Sequence, residues 1–453
     1  MVIRRGFAKA LAATKPFASR APLALTAIVV LSALAASAQS NSPPNAPNAP
    51  PVKERFLVGR FPDKPSLPPA LTLPIDSLGF SAPGAIYFGS RNALASLDFL
   101  DENHLLFTFR IPSLLHRDLA NSDSSYERQV RAVVLSLPDG AVQAQTTWTL
   151  HDRVRYLWPL KNGRFLLRDG NNLFDGDASL ALKPYLDFPG PLLSLSLDPE
   201  QQFLVTNSRE PVGKPAKPDA APSPSTASAS ITSDQDSAAA EGDHPDLVVR
   251  ILRRDSGQVM LVSRVRSQVH LPINSAGYLE FLRSRGTTWM LNLTYFTGGS
   301  KMLGSVDSTC EPDGDFLSEH EVLVTACGPS GETNLVAMTT GGRTLWKSQA
   351  PSTEVWPQLI VAGNGSRLAW ETLDTNHSIY SWAPMDAGDV KEQSVTVFDA
   401  ADGDIALVAP IGPILDVGGN VAISPSGRRV ALINAGSIQV FDLPAPPPLP
   451  AAP

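Results

Sequence analysis

Seven histidines, two cysteines and a few close acidic pairs are the side chains in this sequence whose types could support catalysis or metal binding. The histidines stand at 104, 116, 151, 244, 270, 320 and 377, and no H-x-H or H-E-x-x-H spacing brings two of them together for zinc. No G-x-S-x-G elbow, phosphate loop or S-x-x-K occurs, so nucleophilic catalysis and nucleotide binding lack their usual local signatures. Asp175-Gly176-Asp177 and Asp313-Gly314-Asp315 are fragments of a calcium loop without its remaining acidic ligands and distal Glu, and read as solvated turn acids. The sequence therefore leads to no expectation of a metal, a cofactor or a catalytic set. Cys310 and Cys327 enclose 16 residues with no CxxC and no paired His nearby. In an oxidising compartment they are expected to form a disulfide, a loop closure worth about 3 kcal/mol in the chain-entropy model.

The compartment follows from the start of the chain. Residues 1–38 carry Arg4, Arg5, Lys9, Lys15 and Arg20 with no acid, then an apolar run over 23–36 that ends at Ala36-Ser37-Ala38. This is the pattern of a cleaved secretory signal, its apolar run shorter than the ~20 residues of a membrane span. The 453 residues hold 37 Lys+Arg and 44 Asp+Glu, a net charge of −7; without the five basic residues of 1–38 the balance is 32 against 44, or −12. An acidic chain without clustered Lys/Arg has no electrostatic reason to bind nucleic acid. The mature protein is expected to be exported, periplasmic or extracellular, with no integral membrane span. Its partner is then an unknown protein or small ligand.

Residues 39–53 and 444–453 are Pro/Ala/Asn-rich and 209–246 is Ala/Ser/Pro/Asp-rich, compositions that bury too little apolar surface to order a chain. The remaining 54–443 alternates at strand period and repeats. A polar turn followed by an apolar strand recurs at Leu105, Phe165, Phe203, about Tyr278, Val322, Leu368 and Val430. Glycine turns between strands recur at Pro138-Asp139-Gly140, Asp255-Ser256-Gly257, Thr297-Gly298-Gly299, Thr340-Gly341-Gly342 and Ala401-Asp402-Gly403. Two hairpins per unit, at roughly 40–45 residues per unit, predict an all-β β-propeller of seven four-stranded blades. The last unit has three strands, so closure by an N-terminal strand is expected, with Phe56–Val58 or Ala85–Phe88 lying beside Ile438–Phe441.

Three connections between the two hairpins of a blade are long: 111–129, 209–246 and 371–393. In a propeller these emerge on one face, and insertions gathered on one face mark a binding surface. His116, Arg117 and Tyr126 in the first, and His377, Tyr380 and Trp382 in the third, are of the types that anchor interfaces. These six are the candidate binding residues.

Phe398-Asp399-Ala400-Ala401-Asp402-Gly403 and Met338-Thr339-Thr340-Gly341-Gly342-Arg343-Thr344-Leu345-Trp346 resemble the strand-turn-strand signature of quinoprotein-like propeller repeats. Ile423-Ser424-Pro425-Ser426-Gly427 resembles the turn of bacterial WD40-like and TolB-like blades. The resemblance covers about half the chain as scattered motifs and implies architecture; the matching tryptophan is missing from the blade at 396–409, so no quinone cofactor is expected. Three functions stay open: a non-catalytic binding or scaffolding module, a propeller enzyme (hydrolase, lyase or oxidoreductase) with its site at the central channel, and a component of an envelope assembly. If the signal is cleaved as its pattern predicts, N-terminal sequencing of the exported protein should begin at Gln39, whereas an intact Met1 would indicate an uncleaved anchor.

Overall fold

The computed structural model describes residues 52–56, 63–84, 92–112, 127–137, 139–152, 154–210, 246–378 and 385–448. Their strands form seven separate sheets, taken in chain order around a propeller. Blade 1 consists of Ala95–Phe99, His104–Arg110, Arg128–Ser136 and Val142–Leu150. Blade 2 is Leu157–Pro159, Arg164–Asp169, Asn172–Asp177 and Leu182–Asp187. Blade 3 is Leu192–Leu197, Phe203–Glu210, Asp246–Arg253 and Val259–Val265. Blade 4 has Gly277–Arg283, Thr288–Tyr295 and Ser300–Asp307. Blade 5 is Asp313–Ser318, Glu321–Cys327, Thr333–Thr339 and Thr344–Ala350, with Lys53–Phe56 added outside. Blade 6 is Glu354–Val361, Arg367–Thr375, Val390–Asp399 and Ile405–Ile411. Blade 7 joins Val421–Ile423, Arg429–Asn434 and Ser437–Asp442 to Leu71–Pro74.

Strand alternation explains how the blades hold together. Along His104–Arg110, Leu105, Phe107 and Phe109 pack toward blade 7 while Leu106 packs toward blade 2. Along Arg164–Asp169, Phe165 and Leu167 face blade 1 and Leu166 faces blade 3. Among the described residues the apolar core is divided into seven clusters, each shared by two consecutive blades, the last uniting blades 7 and 1. Trp346 shows the detail of one such seam. It is fully buried, stacks on Phe398 of blade 6 at 5.9 Å, and donates its indole N–H to the Ala400 carbonyl at 2.7 Å. The Gly403 turn of blade 6 lies so close that a Cβ there would come within 2.7 Å of the indole.

The expectation of seven four-stranded blades closed by an N-terminal strand at Phe56–Val58 or Ala85–Phe88 is corrected. The sheets have three to five strands, and no hydrogen-bonded ladder joins one sheet to the next. Blade 4 is the three-stranded one because its innermost segment, Leu271-Pro272-Ile273-Asn274, contains a proline that has no N–H for a ladder; an isolated Ile273–Tyr278 bridge remains. The segment beside Ser437–Val440 is Leu71–Pro74, whose Leu71 and Leu73 pack on the cluster between blades 7 and 1. Lys53–Phe56 instead pairs in parallel with Trp346–Gln349 of blade 5. Beside this pairing Lys53 Nζ meets Asp402 and Asp404 of blade 6 at 3.1 and 3.3 Å on an exposed rim. Residues 85–88 lie outside the described residues. Between these two strands Ser66 exchanges hydrogen bonds with Val408 of blade 6, so Lys53–Phe56, Ser66 and Leu71–Pro74 touch the outer edges of blades 5, 6 and 7 in turn.

Trp346→Ala removes a buried indole, its hydrogen bond and the blade 5–6 stacking, and should cost about 3–5 kcal/mol. Chemical denaturation should show the loss as a lower midpoint, and an unchanged midpoint would mean that this seam does not support the ring.

Candidate functional site

Within a blade the first-to-second and third-to-fourth strand links lie on one face of the ring and the second-to-third link on the other. The second-to-third-strand link is short in blades 2 and 7, where Asp169 is followed by Asn172 and Asn434 by Ser437 across two residues. It is long in blade 1 (Arg110 to Arg128), blade 3 (Glu210 to Asp246) and blade 6 (Thr375 to Val390). The antiparallel strand order puts all three on the same face.

Beneath the first of these connections, blades 1 and 2 share a polar seam. Arg128, 5% exposed, donates to the Ala93 carbonyl at 2.9 Å and lies 5.0 Å from the Tyr156 ring centre. Tyr156 shares a 2.7 Å hydrogen bond with Thr108. Arg168, 1% exposed, ties blade 2 to the Leu192 carbonyl of blade 3 at 3.0 Å, and its Nε lies 3.2 Å from Asp152. Burial lowers the affinity of both guanidinium groups for their protons and raises the Asp152 carboxyl and Tyr156 hydroxyl, the Asp152 shift being opposed by Arg168 and the Tyr156 shift by Arg128. On the innermost strand of blade 1, Asp98 accepts from Ser96 Oγ at 2.5 Å. Burial holds Asp98 up at about 6 against the opposing charge of Arg155, which precedes the innermost strand of blade 2.

At the blade 6 rim, His377 is exposed and its carbonyl accepts from Thr375 Oγ1 at 2.6 Å. Ser378 and Ser352 share a 3.0 Å hydrogen bond. The backbone N–H of Asn376 reaches Asp389 O at 2.8 Å, which closes the base of the connection. Glu354 and Asp374 are direct cross-strand neighbours; burial and then the Asp374 charge raise Glu354 to about 7. The span 371–393 expected as a loop is strand at both ends: 371–375 and 390–393 belong to paired strands, Glu371 and Gln393 are buried and hydrogen-bonded to each other, and 376–389 connects the strands. Likewise 209–246 narrows to 211–245 between paired Glu210 and Asp246.

Of the six sequence-derived binding residues, His377 stands on that face, while His116, Arg117, Tyr126, Tyr380 and Trp382 lie outside the described residues. Cys310 and Cys327 are disulfide-bonded with their Cα atoms 5.5 Å apart. The two acidic triplets are strand residues. Asp175 pairs with Arg164, and Asp313 and Asp315 clasp His270 at 2.7 and 3.4 Å. Burial alone would lower His270, but Asp315 and Asp313 together lift it to about 10. Among the described residues no group of three or more His, Cys, Asp or Glu could hold a metal ion. The blade 1–2 seam was missed in the sequence; its signal was the dense His151-Asp152-Arg153-Val154-Arg155-Tyr156 run just before an innermost strand.

No protein-family profile matches the chain, and no curated protein matches it. Among solved structures it is similar to the acylaminoacyl peptidase of Pyrococcus horikoshii, at 9% identity and a TM-score of 0.45 over 79% of this chain and 52% of that one. It spans about half of that peptidase's length. The β-propeller domain of the Trilobed protease from Pyrococcus furiosus matches at 11% identity and a TM-score of 0.42, over 77% of this chain and 95% of that one. Sqt1 from Chaetomium thermophilum matches at 9% and 0.37, over 78% and 99%. These likenesses are of fold alone.

Burial raises Asp98 and Asp198 to about 6, Glu321 and Glu354 to about 7, and Glu371 to about 8. The folded chain keeps these protons from the ordinary values of 3.8 and 4.5 up to the raised ones, so stability falls as pH rises through that window. His270 adds to the trend: its contribution is complete below 6.5 and is lost as pH rises toward 10. Asp139, Asp177 and Glu210, all lowered, act only at the acid end, where stability is lost as pH falls through their depressed values. The thermal midpoint should therefore be higher near about pH 5.5 than near about pH 8.5, and the reverse order would contradict these assignments.

Proposed function

We propose that this chain is an exported β-propeller that binds a partner protein or small ligand without transforming it, on the face that carries the long connections. One observation carries the reading: blades 1, 3 and 6 lengthen the same link, while that link is two residues in blades 2 and 7. A repeated scaffold that elaborates one face presents a surface of its own there. The side chains under that face are engaged in holding blades together, as Arg128 does against the Tyr156 ring and Arg168 through the Leu192 carbonyl, which suits a rigid platform. Export is supported by the basic-then-apolar pattern of residues 1–38 and by the Cys310–Cys327 disulfide. Among the described residues no helix is long and apolar enough to cross a membrane.

A second reading, catalysis at the channel, is favoured by Asp98, a carboxyl poised at about 6 beside Ser96 and opposite Arg155. Asp98→Asn would abolish such an activity and leave binding intact.

A photo-crosslinking residue at exposed His377 should capture the partner, whereas one at exposed His320, on the opposite face, should not. Replacing 378–387 by a two-glycine turn preserves the Asn376–Asp389 closure and should abolish capture without lowering the thermal midpoint. Equal capture from both faces would overturn the assignment.

A further inference from the structure

The sheets of the ring end differently at their outer edges. Blade 5 is covered by Lys53–Phe56 and blade 7 by Leu71–Pro74, and Ser66 meets the edge of blade 6. In blades 1 to 4 the last strand ends its sheet, and such an edge offers backbone N–H and carbonyl groups to any extended chain. Three of these four edges carry residues that discourage pairing. Blade 1 shows mainly polar side chains to solvent, at Gln143, Gln145, Thr147 and Thr149. Blade 2 has Lys183 and Pro184, and blade 4 has Lys301 and Gly304. Blade 3 has none of these: Val259–Val265 reads Val-Met-Leu-Val-Ser-Arg-Val, apolar at five of seven positions.

The two sides of this strand have different surroundings. Leu261 and Val265 pack on the cluster between blades 3 and 4. Val262 stands opposite Arg250 and Arg264 opposite Val248 in the ladder, so Val262 and Arg264 share the other side. Val262 is 59% exposed, and Val259, beyond the bulge, 47%. The same rim is basic. From Asp246 to Arg266 the chain holds five arginines and two aspartates, although the whole sequence is acidic at 37 Lys+Arg to 44 Asp+Glu. Part of this charge is used within the blade: Arg250 donates to both carboxylate oxygens of Glu210 at 2.5 and 2.8 Å, Arg254 donates to the Gln201 carbonyl, and the charge of Arg264 acts on Glu210 as well. Even with Glu210 counted, five arginines stand against three acids, and Arg266 is exposed just past the strand.

We propose that the outer edge of blade 3 is a docking site for an extended acidic segment of a partner protein, added as a fifth strand beside Val259–Val265. Main-chain hydrogen bonds supply the attachment, as they do for Lys53–Phe56 on blade 5, and side chains set the choice of segment. On the exposed side, apolar residues of the segment cover Val259 and Val262, and its carboxylates lie toward Arg264 and Arg266. A basic segment would add to the arginine excess and is disfavoured. The edge belongs to the rim, apart from the face of the long connections, so loss of either surface leaves the other intact.

The test uses the full chain and a short labelled synthetic peptide in which threonine alternates first with valine and then with glutamate. Binding of this peptide should slow amide hydrogen exchange at Val259–Val265 and leave Val142–Leu150 of blade 1 unchanged. Affinity should fall as salt is raised, and should fall at least about tenfold when lysine replaces glutamate or when alternate peptide amides are methylated. Val262→Lys should weaken binding by a similar factor without lowering the thermal midpoint, and Arg266→Glu should shift the preference toward the lysine peptide. No slowing at Val259–Val265, equal slowing on blade 1, or equal affinity for both peptides would overturn the proposal. Two further results would overturn it by naming another occupant. One is dimerisation of the chain that Val262→Lys abolishes, without uptake of peptide; the other is uptake only after 211–245 has been replaced by a glycine turn. The methylated peptide keeps the question open to test should a variant fail to fold.

Discussion

Every sheet in this ring is buried on both faces, and that requirement governs most of the rest. No ladder of hydrogen bonds links one blade to another, so cohesion between blades comes from apolar side chains in seven shared clusters and from single polar reaches such as Trp346 to Ala400. Burying a side chain such as Leu106 or Phe165 contributes about 1.5–3 kcal/mol, and alternation along a strand assigns successive residues to different neighbours. A blade cannot satisfy both faces alone. Stability is therefore a property of the closed circuit, with the Leu97–Leu135 side of blade 1 meeting the Ala431–Val440 side of blade 7.

That same alternation made the architecture readable from sequence. The second strand of each blade begins within one residue of the repeat positions at Leu105, Phe165, Phe203, Tyr278, Val322, Leu368 and Val430. Glycine turns marked the outer hairpins because positive φ at Gly140, Gly257, Gly298, Gly299, Gly342 and Gly403 excludes most other residues. The disulfide was legible from compartment and spacing. Strand count was less so, since Pro272 silently removes a ladder donor. The identity of the N-terminal strand on blade 7 was hidden because Leu71-Thr72-Leu73-Pro74 carries only two apolar residues, and its partner lies at the other end of the chain.

The candidate site was harder to read for a related reason. Its polar residues come from different blades: Thr108 and Arg128 from blade 1, Tyr156 and Arg168 from the start and second strand of blade 2, Leu192 from blade 3. No local motif records such an assembly. Glu371 illustrates the converse error, because a carboxylate, a threonine and an amide over 371–393 looked like loop composition. They are instead parts of strands whose polar side chains face a neighbouring connection, where Gln393 meets Leu415.

The contacts of Lys53–Phe56, Ser66 and Leu71–Pro74 impose an order of events on biosynthesis. Lys53 pairs with Asp402 across 349 positions, Ser66 with Val408 across 342, and Leu71 with Val440 near the far end of the propeller. Lys53–Phe56 must wait, unpaired, until blade 5 has been made, and Leu71–Pro74 until the last blade has. Contacts so distant in sequence form late and slowly. Completion of the ring is thus deferred until synthesis is nearly finished, and until then the first strands of the propeller offer unpaired edges to whatever is near them.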